Sequence, residues 1–356
     1  MLAKRAGSVL VLLALALPAL AQEVPQLGSV SPLWVGFERP EGLELQRPGG
    51  PGWRFAFAAA YGNTAHFSPE VIRHHEGVSG IGAPLEASTV DEARELWPTA
   101  DIFAVDTEVI RLDFETVYAW KSRWEIGARL PMWRLAGTAL DAWPSRLHDV
   151  LGVSNNGRDS FPEGQTFVAL RPLRGGEWNL IGTTGSEVVN ASLWTGRSFA
   201  IGDRGWHRAW LTVGVPLQDS DAFGESDWSV GARWAVGGAS RWLGYHAGLG
   251  WTAQGGSAAG LGDAADTFHV WAGVSAGLGK GWSAEAVFRI DDAPFANVDA
   301  GKAGRTTGEF AVGLSMPLGS RIRWHLALGE DFPGMGMNPD FSIQSSLRFA
   351  GGSKKR

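Results

Sequence analysis

Residues 110–132 read IRLDFETVYAWKSRWEIGARLPM. Ile110, Leu112, Phe114, Thr116 and Tyr118 alternate with Arg111, Asp113, Glu115 and Val117. After Lys121-Ser122-Arg123, Trp124, Ile126, Ala128, Leu130 and Met132 alternate with Glu125, Gly127 and Arg129. A period of two places each set on one face of an extended strand. Here one face is apolar and the other carries charge and glycine. If Trp120 opposes Trp124 across the turn, then Glu115 opposes Arg129 and Val117 opposes Gly127.

Outward from this hairpin the same alternation recurs. It runs through Phe268–Ala276, Trp282–Ile290, Phe310–Met316, Ile322–Leu328 and Phe341–Phe349. A soluble sandwich would alternate too, so the connections decide. Strands are expected at 54–65, 105–119, 124–135, 165–172, 176–183, 187–199, 208–217, 226–236, 242–254, 266–277, 282–292, 306–317, 322–331 and 341–349. Residues 121–123, 174–175, 237–239, 279–281 and 318–320 connect one side tightly. Segments 66–104, 136–164, 255–265, 293–305 and 332–340 serve the other. Short periplasmic turns with long extracellular loops are the outer-membrane pattern. The expectation is an all-β, antiparallel transmembrane β-barrel of about fourteen strands, with twelve as the alternative, whose long loops carry short helices.

Composition agrees. The 356 residues are 44% hydrophobic and 19% charged, which excludes a disordered chain. They include 49 Gly and 18 Trp, and a barrel with aromatic girdles has use for that much Trp. Trp120, Trp124 and Trp282 flank short turns, and Trp133, Trp228 and Trp251 sit near long loops. Trp210, Trp242 and Trp271 have the parity of the lumen. There is no Cys, hence no disulfide, thiolate metal site or lipoprotein anchor. No basic stripe suits nucleic acid.

Lys4 and Arg5, the apolar run Val9–Leu17 and Pro18-Ala19-Leu20-Ala21 predict a cleaved signal peptide over 1–21. Without those two cations the remainder keeps 29 of the 31 basic side chains and all 37 acidic ones. The domains then read as an extended segment at 22–52, periplasmic or lining the barrel, the barrel at 53–349, and a basic tail at 350–356. The destination is the outer membrane of a Gram-negative envelope. Its partners there would be outer-membrane lipid, lipopolysaccharide and, during insertion, the barrel-assembly machinery.

The polar faces supply the solute-contacting candidates. Arg111, Asp113, Glu115, Glu125 and Arg129 are expected in one lumenal patch, with Glu285 and Arg289 in another. Mixed sign argues against a strongly ion-selective pore and for charge pairing. In the loop after the third strand, residues 141–151 read as an amphipathic helix. Asp141 is its N-cap, Pro144 lies in its first turn and Gly152 follows its end. Trp143, Leu147, Val150 and Leu151 share one face; Asp141, Ser145 and His148 share the other. Seven helical residues put Asp141 about 10 Å along the axis from His148, too far for a base and its orienter. Catalytic residues are therefore not expected.

The run Leu140-Asp141-Ala142-Trp143-Pro144-Ser145-Arg146-Leu147-His148-Asp149-Val150-Leu151-Gly152 leads into Asn155-Asn156-Gly157-Arg158-Asp159-Ser160-Phe161-Pro162. With Arg123-Trp124-Glu125-Ile126-Gly127 and Leu130-Pro131, it resembles an uncharacterised bacterial family known as domain of unknown function 3187. Ser31-Pro32-Leu33, Asn63 and Glu330-Asp331…Pro339-Asp340-Phe341 extend the likeness. The spacing Asp141…His148…Gly152…Gly157-Arg158 is its most specific part. An insertion around 66–104 and a tail after Phe349 depart from the pattern. The resemblance implies an outer-membrane-like barrel and no established activity. It singles out Asp141, His148, Gly152, Asn156, Gly157, Arg158 and Asp159 in one loop, and Glu330, Asp331 and Asp340 in another.

Within 66–104, His66, His74, His75, Glu70 and Glu76 invite a metal reading. Only Glu70 and His74 are spaced i,i+4, so a solvated loop with two helices is favoured. One helix would be capped at Ser68 with Pro69 following, the other at Ser88 with Asp91 completing a capping box. No metal or cofactor is expected. No Walker, Rossmann or HExxH pattern occurs. The favoured function is a non-enzymatic channel or transporter for small solutes, apolar ones among them. The alternatives are an embedded enzyme acting on lipid or envelope polysaccharide, and a structural or assembly component.

Overall fold

The computed structural model describes Ser31, Trp34, Arg39, Glu41 and residues 51–350, apart from 122, 138–157, 163, 174–175, 183, 202–203, 221–223, 241, 259, 296–303, 333–334 and 337–338. β1 (Gly52–Phe67) leads to helices α1 (Pro69–Val78) and α2 (Ala87–Leu96), then to β2 (Ile102–Ala119) and β3 (Trp124–Ala136). β4 (Phe167–Arg171) and β5 (Trp178–Ile181) precede β6 (Asn190–Ile201) and β7 (Gly205–Pro216). β8 (Ser229–Ala239) and β9 (Leu243–Ala253) are followed by a two-residue pair, β10 (Ser257–Ala258) and β11 (Gly262–Asp263). The chain ends with β12 (Thr267–Gly279), β13 (Trp282–Asp291), β14 (Thr307–Pro317), β15 (Ile322–Asp331) and β16 (Phe341–Ala350).

Twelve strands close on themselves, in the order β1-β16-β15-β14-β13-β12-β9-β8-β7-β6-β3-β2, with β2 pairing back onto β1. Every pair is antiparallel. Closure leaves no free edge along the wall, which is the condition for crossing a bilayer with strands. None of the described helices is long and apolar enough to cross a membrane, a fact that says nothing about strands. The β2–β3 register is the one read from the tight turn, with Glu115 opposite Arg129 and Val117 opposite Gly127. The turn Gly279-Lys280-Gly281 holds φ of +91°, +53° and +83°; glycine accepts this region freely, and Lys280 is the one side chain strained there.

The wall has twelve strands, the alternative count, and the other two of the fourteen form an extra hairpin. β3 ends at Ala136, opposite Glu108, and β4 takes over the same edge of β2 at Ile102–Asp106. β4 and β5 form a hairpin at the long-loop end instead of two wall strands, and the expected turn at 174–175 lies outside the described residues. All five residues of β4 are buried. Val168 and Leu170 pack with Trp34, Phe103, Val105, Trp178, Leu261 and Phe295. Phe167 and Ala169 pack on the other side with Phe67, Val71, Leu85, Val90 and Ala93. Burial on both faces erases the alternation that marks a wall strand.

The two helices form, but their setting is also corrected. Val71, Val90 and Ala93 are fully buried against the extended β1–β2–β4 sheet, so this loop is docked and not simply solvated. Ser68 precedes α1, and its hydroxyl accepts from the Phe103 amide (3.3 Å). α2 starts one residue before Ser88, with Glu86 at the N-cap position.

Tryptophan divides between the two faces. Trp120, Trp124, Trp228, Trp251 and Trp282 are exposed near the wall's two ends, the placement of interfacial anchors. Trp133 is instead buried on the lumen side, and Trp242 is exposed at a turn and does not fill the interior. Trp194, Trp206, Trp210 and Trp271 are buried and form one lumenal cluster.

Candidate functional site

The interior is packed. Arg111, Asp113, Glu115, Glu125, Arg129, Glu285 and Arg289 all face the lumen, each at 4% exposure or less. Two further charges arrive from outside the wall: Arg39 and Glu41, of the N-terminal segment, are also buried. Glu41 accepts ion pairs from Arg111 on β2 (2.5 Å), Arg129 on β3 (3.3 Å) and its neighbour Arg39 (3.3 Å). Arg39 reaches Asp291 on β13 (3.2 Å) and Glu309 on β14 (3.1 Å). Arg289 contacts the same two acids at 3.2 and 2.8 Å, and Arg111 also pairs with Asp113 (2.8 Å).

One residue pair thus ties β2 and β3 to β13 and β14 across the barrel interior. The two bridging side chains carry opposite signs, so their insertion leaves the interior's charge unchanged. Burial by itself would raise the Glu41 carboxyl, but Arg111, Arg129 and Arg39 outweigh it and hold its pKa below the usual value. Glu41 therefore stays ionised among three guanidiniums. Aromatic faces back the cations: Arg39 lies 4.8 Å from the Trp34 ring centroid and Arg111 4.4 Å from that of Trp133.

The expected patches are regrouped by this geometry. Glu125 leaves the Arg111 patch: it pairs with Arg54 of β1 (3.0 Å) and with Arg208 of β7. Glu285 and Arg289 separate. Glu285 accepts from Ser283 (2.9 Å) and faces His325 (3.5 Å), while Arg289 joins Asp291 and Glu309. Glu115 stays opposite Arg129. Asp291 also holds His269 Nδ1 at 2.8 Å, and His269 Nε2 lies 3.1 and 3.2 Å from the hydroxyls of Thr267 and Thr252. The order of these groups is that of a hydrolytic relay, but every member is sealed from solvent, so here it satisfies a buried imidazole.

Next to the ion network lies the tryptophan cluster, and glycine makes it possible. Trp194 lies directly across from Gly127, Trp206 from Gly237, Trp210 from Gly196 and Trp271 from Gly248. A Cβ on any of these glycines would come within 2.2–2.5 Å of its tryptophan. The indoles of Trp194, Trp206 and Trp271 lie across the bare backbone of their cross-strand partners, while at Gly196 it is the Trp210 Cβ that comes close. This pairing accounts for part of the joint excess of Gly and Trp in the sequence.

The loop candidates fare unequally. Asp141, His148, Gly152, Asn156, Gly157 and the helix 141–151 lie outside the described residues, as do residues 1–21. Arg158 opens a short 3₁₀ turn, Asp159 beside it is exposed, and Ser160 donates to Glu76 of α1 (2.6 Å). His74 pairs with Glu92 of α2 at 2.8 Å. His66 is elsewhere, at the end of β1, facing Asp331 and Asp340. Arg39, Glu41, Asp291 and Glu309 were not singled out from the sequence. Parity could have found the last two, since they stand on the lumen faces of their strands.

A profile of the family described as Protein of unknown function (DUF3187) matches residues 83–350. The chain belongs to this family. The matched span begins inside the 66–104 insertion, so Ser31-Pro32-Leu33 and Asn63 lie outside it. No curated protein matches the sequence. Among solved structures, an outer membrane channel from Pseudomonas putida F1 shares 11% identity at a TM-score of 0.51, covering 85% of this chain and 96% of that one. The toluene transporter TbuX of Ralstonia pickettii shares 11% identity at a TM-score of 0.40, covering 91% and 99%. The likeness to the first shows the fold of this DUF3187 protein, an outer-membrane β-barrel.

Proposed function

We propose that this chain is an outer-membrane channel for small uncharged solutes, apolar ones among them, closed in its resting state by its own N-terminal segment. The observation that carries the reading is the placement of Arg39 and Glu41 inside the barrel, ion-paired to opposite sides of the wall. A purely structural barrel can fill its lumen with wall side chains. This one admits chain from outside the wall and holds it by paired charges, which can exchange partners. Two features support the solute class. Among the described residues the lumenal charges are of mixed sign, largely paired, and form no single-sign ring to select ions. Four buried tryptophans offer an apolar surface along the same interior.

Liposome swelling tests this reading. Purified protein lacking residues 22–50 should pass erythritol faster than a monocarboxylate of similar size, and the full chain should pass both slowly. Equal, slow swelling by both proteins would contradict the proposal.

A further inference from the structure

Three strand ends meet at the long-loop rim: the end of β1 brings His66, the end of β15 brings Asp331, and the residue before β16 is Asp340. His66 Nε2 lies 3.7 Å from an Asp331 oxygen and 3.7 Å from an Asp340 oxygen, and the three donor atoms are all within 4.8 Å of one another. These distances exceed the 2.7–3.2 Å of a hydrogen bond. Donors bound at about 2.1 Å around one tetrahedral ion stand about 3.4 Å apart, so each His66–carboxylate separation needs a contraction of only a few tenths of an ångström and the rest of the set, within 4.8 Å, a side-chain rotation of about an ångström. The side chains are at most 15% exposed, and His66 is at 1%. Asp340 is also pre-oriented: its Oδ2 accepts the Ala65 amide at 2.7 Å, which leaves Oδ1 turned toward His66. Such outer hydrogen bonds commonly fix a ligating carboxylate.

We propose that His66, Asp331 and Asp340 form a binding site for a divalent transition-metal ion such as Zn²⁺. One imidazole and two carboxylates are donors of the type this ion accepts, with a fourth position left for water. The ion joins β1 to both ends of the 332–340 loop and so pins the long-loop rim where the barrel closes. This site is independent of the channel reading. It also differs from the His66, His74, His75, Glu70 and Glu76 set of the sequence, since His74 is engaged with Glu92 on the helices.

The test is Zn²⁺ titration of the refolded, chelator-treated full chain in detergent, read by calorimetry and by thermal stability. One Zn²⁺ should bind per chain and raise the melting temperature. His66→Ala and Asp331→Asn should each weaken binding at least tenfold, while His74→Ala should leave it unchanged. Should His66→Ala fail to fold, Asp331→Asn carries the test, because its side chain is partly exposed and its heat-modifiable migration reports folding. Absence of stoichiometric binding, wild-type affinity in both site variants, or loss confined to His74→Ala would overturn the assignment.

Discussion

Leu314 and Gly313 are neighbours on β14 that face opposite ways, and each sets a different constraint. Leu314 is exposed on the outer face of the wall. Leu314→Arg should therefore cost about 2–4 kcal/mol if it stands at mid-membrane, measured by denaturant unfolding in lipid. A serine at Gly313 would be expected to be harmless on lumen parity alone. The structure removes that expectation, because a Cβ there would sit 2.7 Å from the Leu326 carbonyl oxygen. The glycines under tryptophan are tighter still. Gly248→Ala should cost about 1–3 kcal/mol by overpacking against Trp271. The same change in a Trp271→Ala background should cost clearly less, and a double-mutant cycle without coupling would count against the Gly–Trp fit. Parity marks Trp271 as lumenal in the sequence. That Gly248 opposes it across two strands depends on register, which their own segments do not specify.

The strands of the wall were legible because each keeps one face in lipid and the other in the lumen, and the period of two records that difference. β4 and β5 lack it. Phe167-Val168-Ala169-Leu170 is apolar throughout because helices cover one side and the Trp34 cluster the other. A run of this kind looks like a wall strand in sequence, and only its pairing to the outer part of β2 separates them. The hairpin should therefore loosen without the barrel. Trp178→Ala removes a buried indole and should cost about 3–5 kcal/mol locally if the site is well packed. Limited proteolysis should then cut near residues 172–189 while heat-modifiable migration persists. Loss of barrel migration in this variant would mean that the hairpin is part of the wall's own stability. Pro131 shows the same logic at one position. The β3–β6 ladder runs from Trp124 to Arg129 and resumes as a bridge at Trp133 and Glu187, and proline, with no amide hydrogen, stands in the gap.

For the whole molecule, closure of twelve strands and the burial of Arg39 and Glu41 inside them are separate facts, and the sequence revealed them unequally. Alternation, tight turns and the aromatic ends announced a barrel. The segment at 22–52 carries no period that would place it inside, and Arg39 and Glu41 became meaningful only once the wall had gathered Arg111, Arg129, Asp291 and Glu309 around them. Breaking only one member would leave charges buried without their partner, at a typical cost of about 3–5 kcal/mol. Removing both keeps the interior's net charge, and Asp113 still pairs with Arg111 while Arg289 still pairs with Asp291 and Glu309, so the double variant reports on closure. If the chain resides where we propose, the mature protein should fractionate with outer membranes and migrate in a heat-modifiable way. Recovery as soluble periplasmic protein would contradict that residence. The most direct measurement is single-channel conductance in planar bilayers, comparing the full chain with Arg39→Ala/Glu41→Ala. The account predicts a wild type that is closed for most of the record and a double variant with a larger, sustained conductance; identical traces from the two proteins would contradict it.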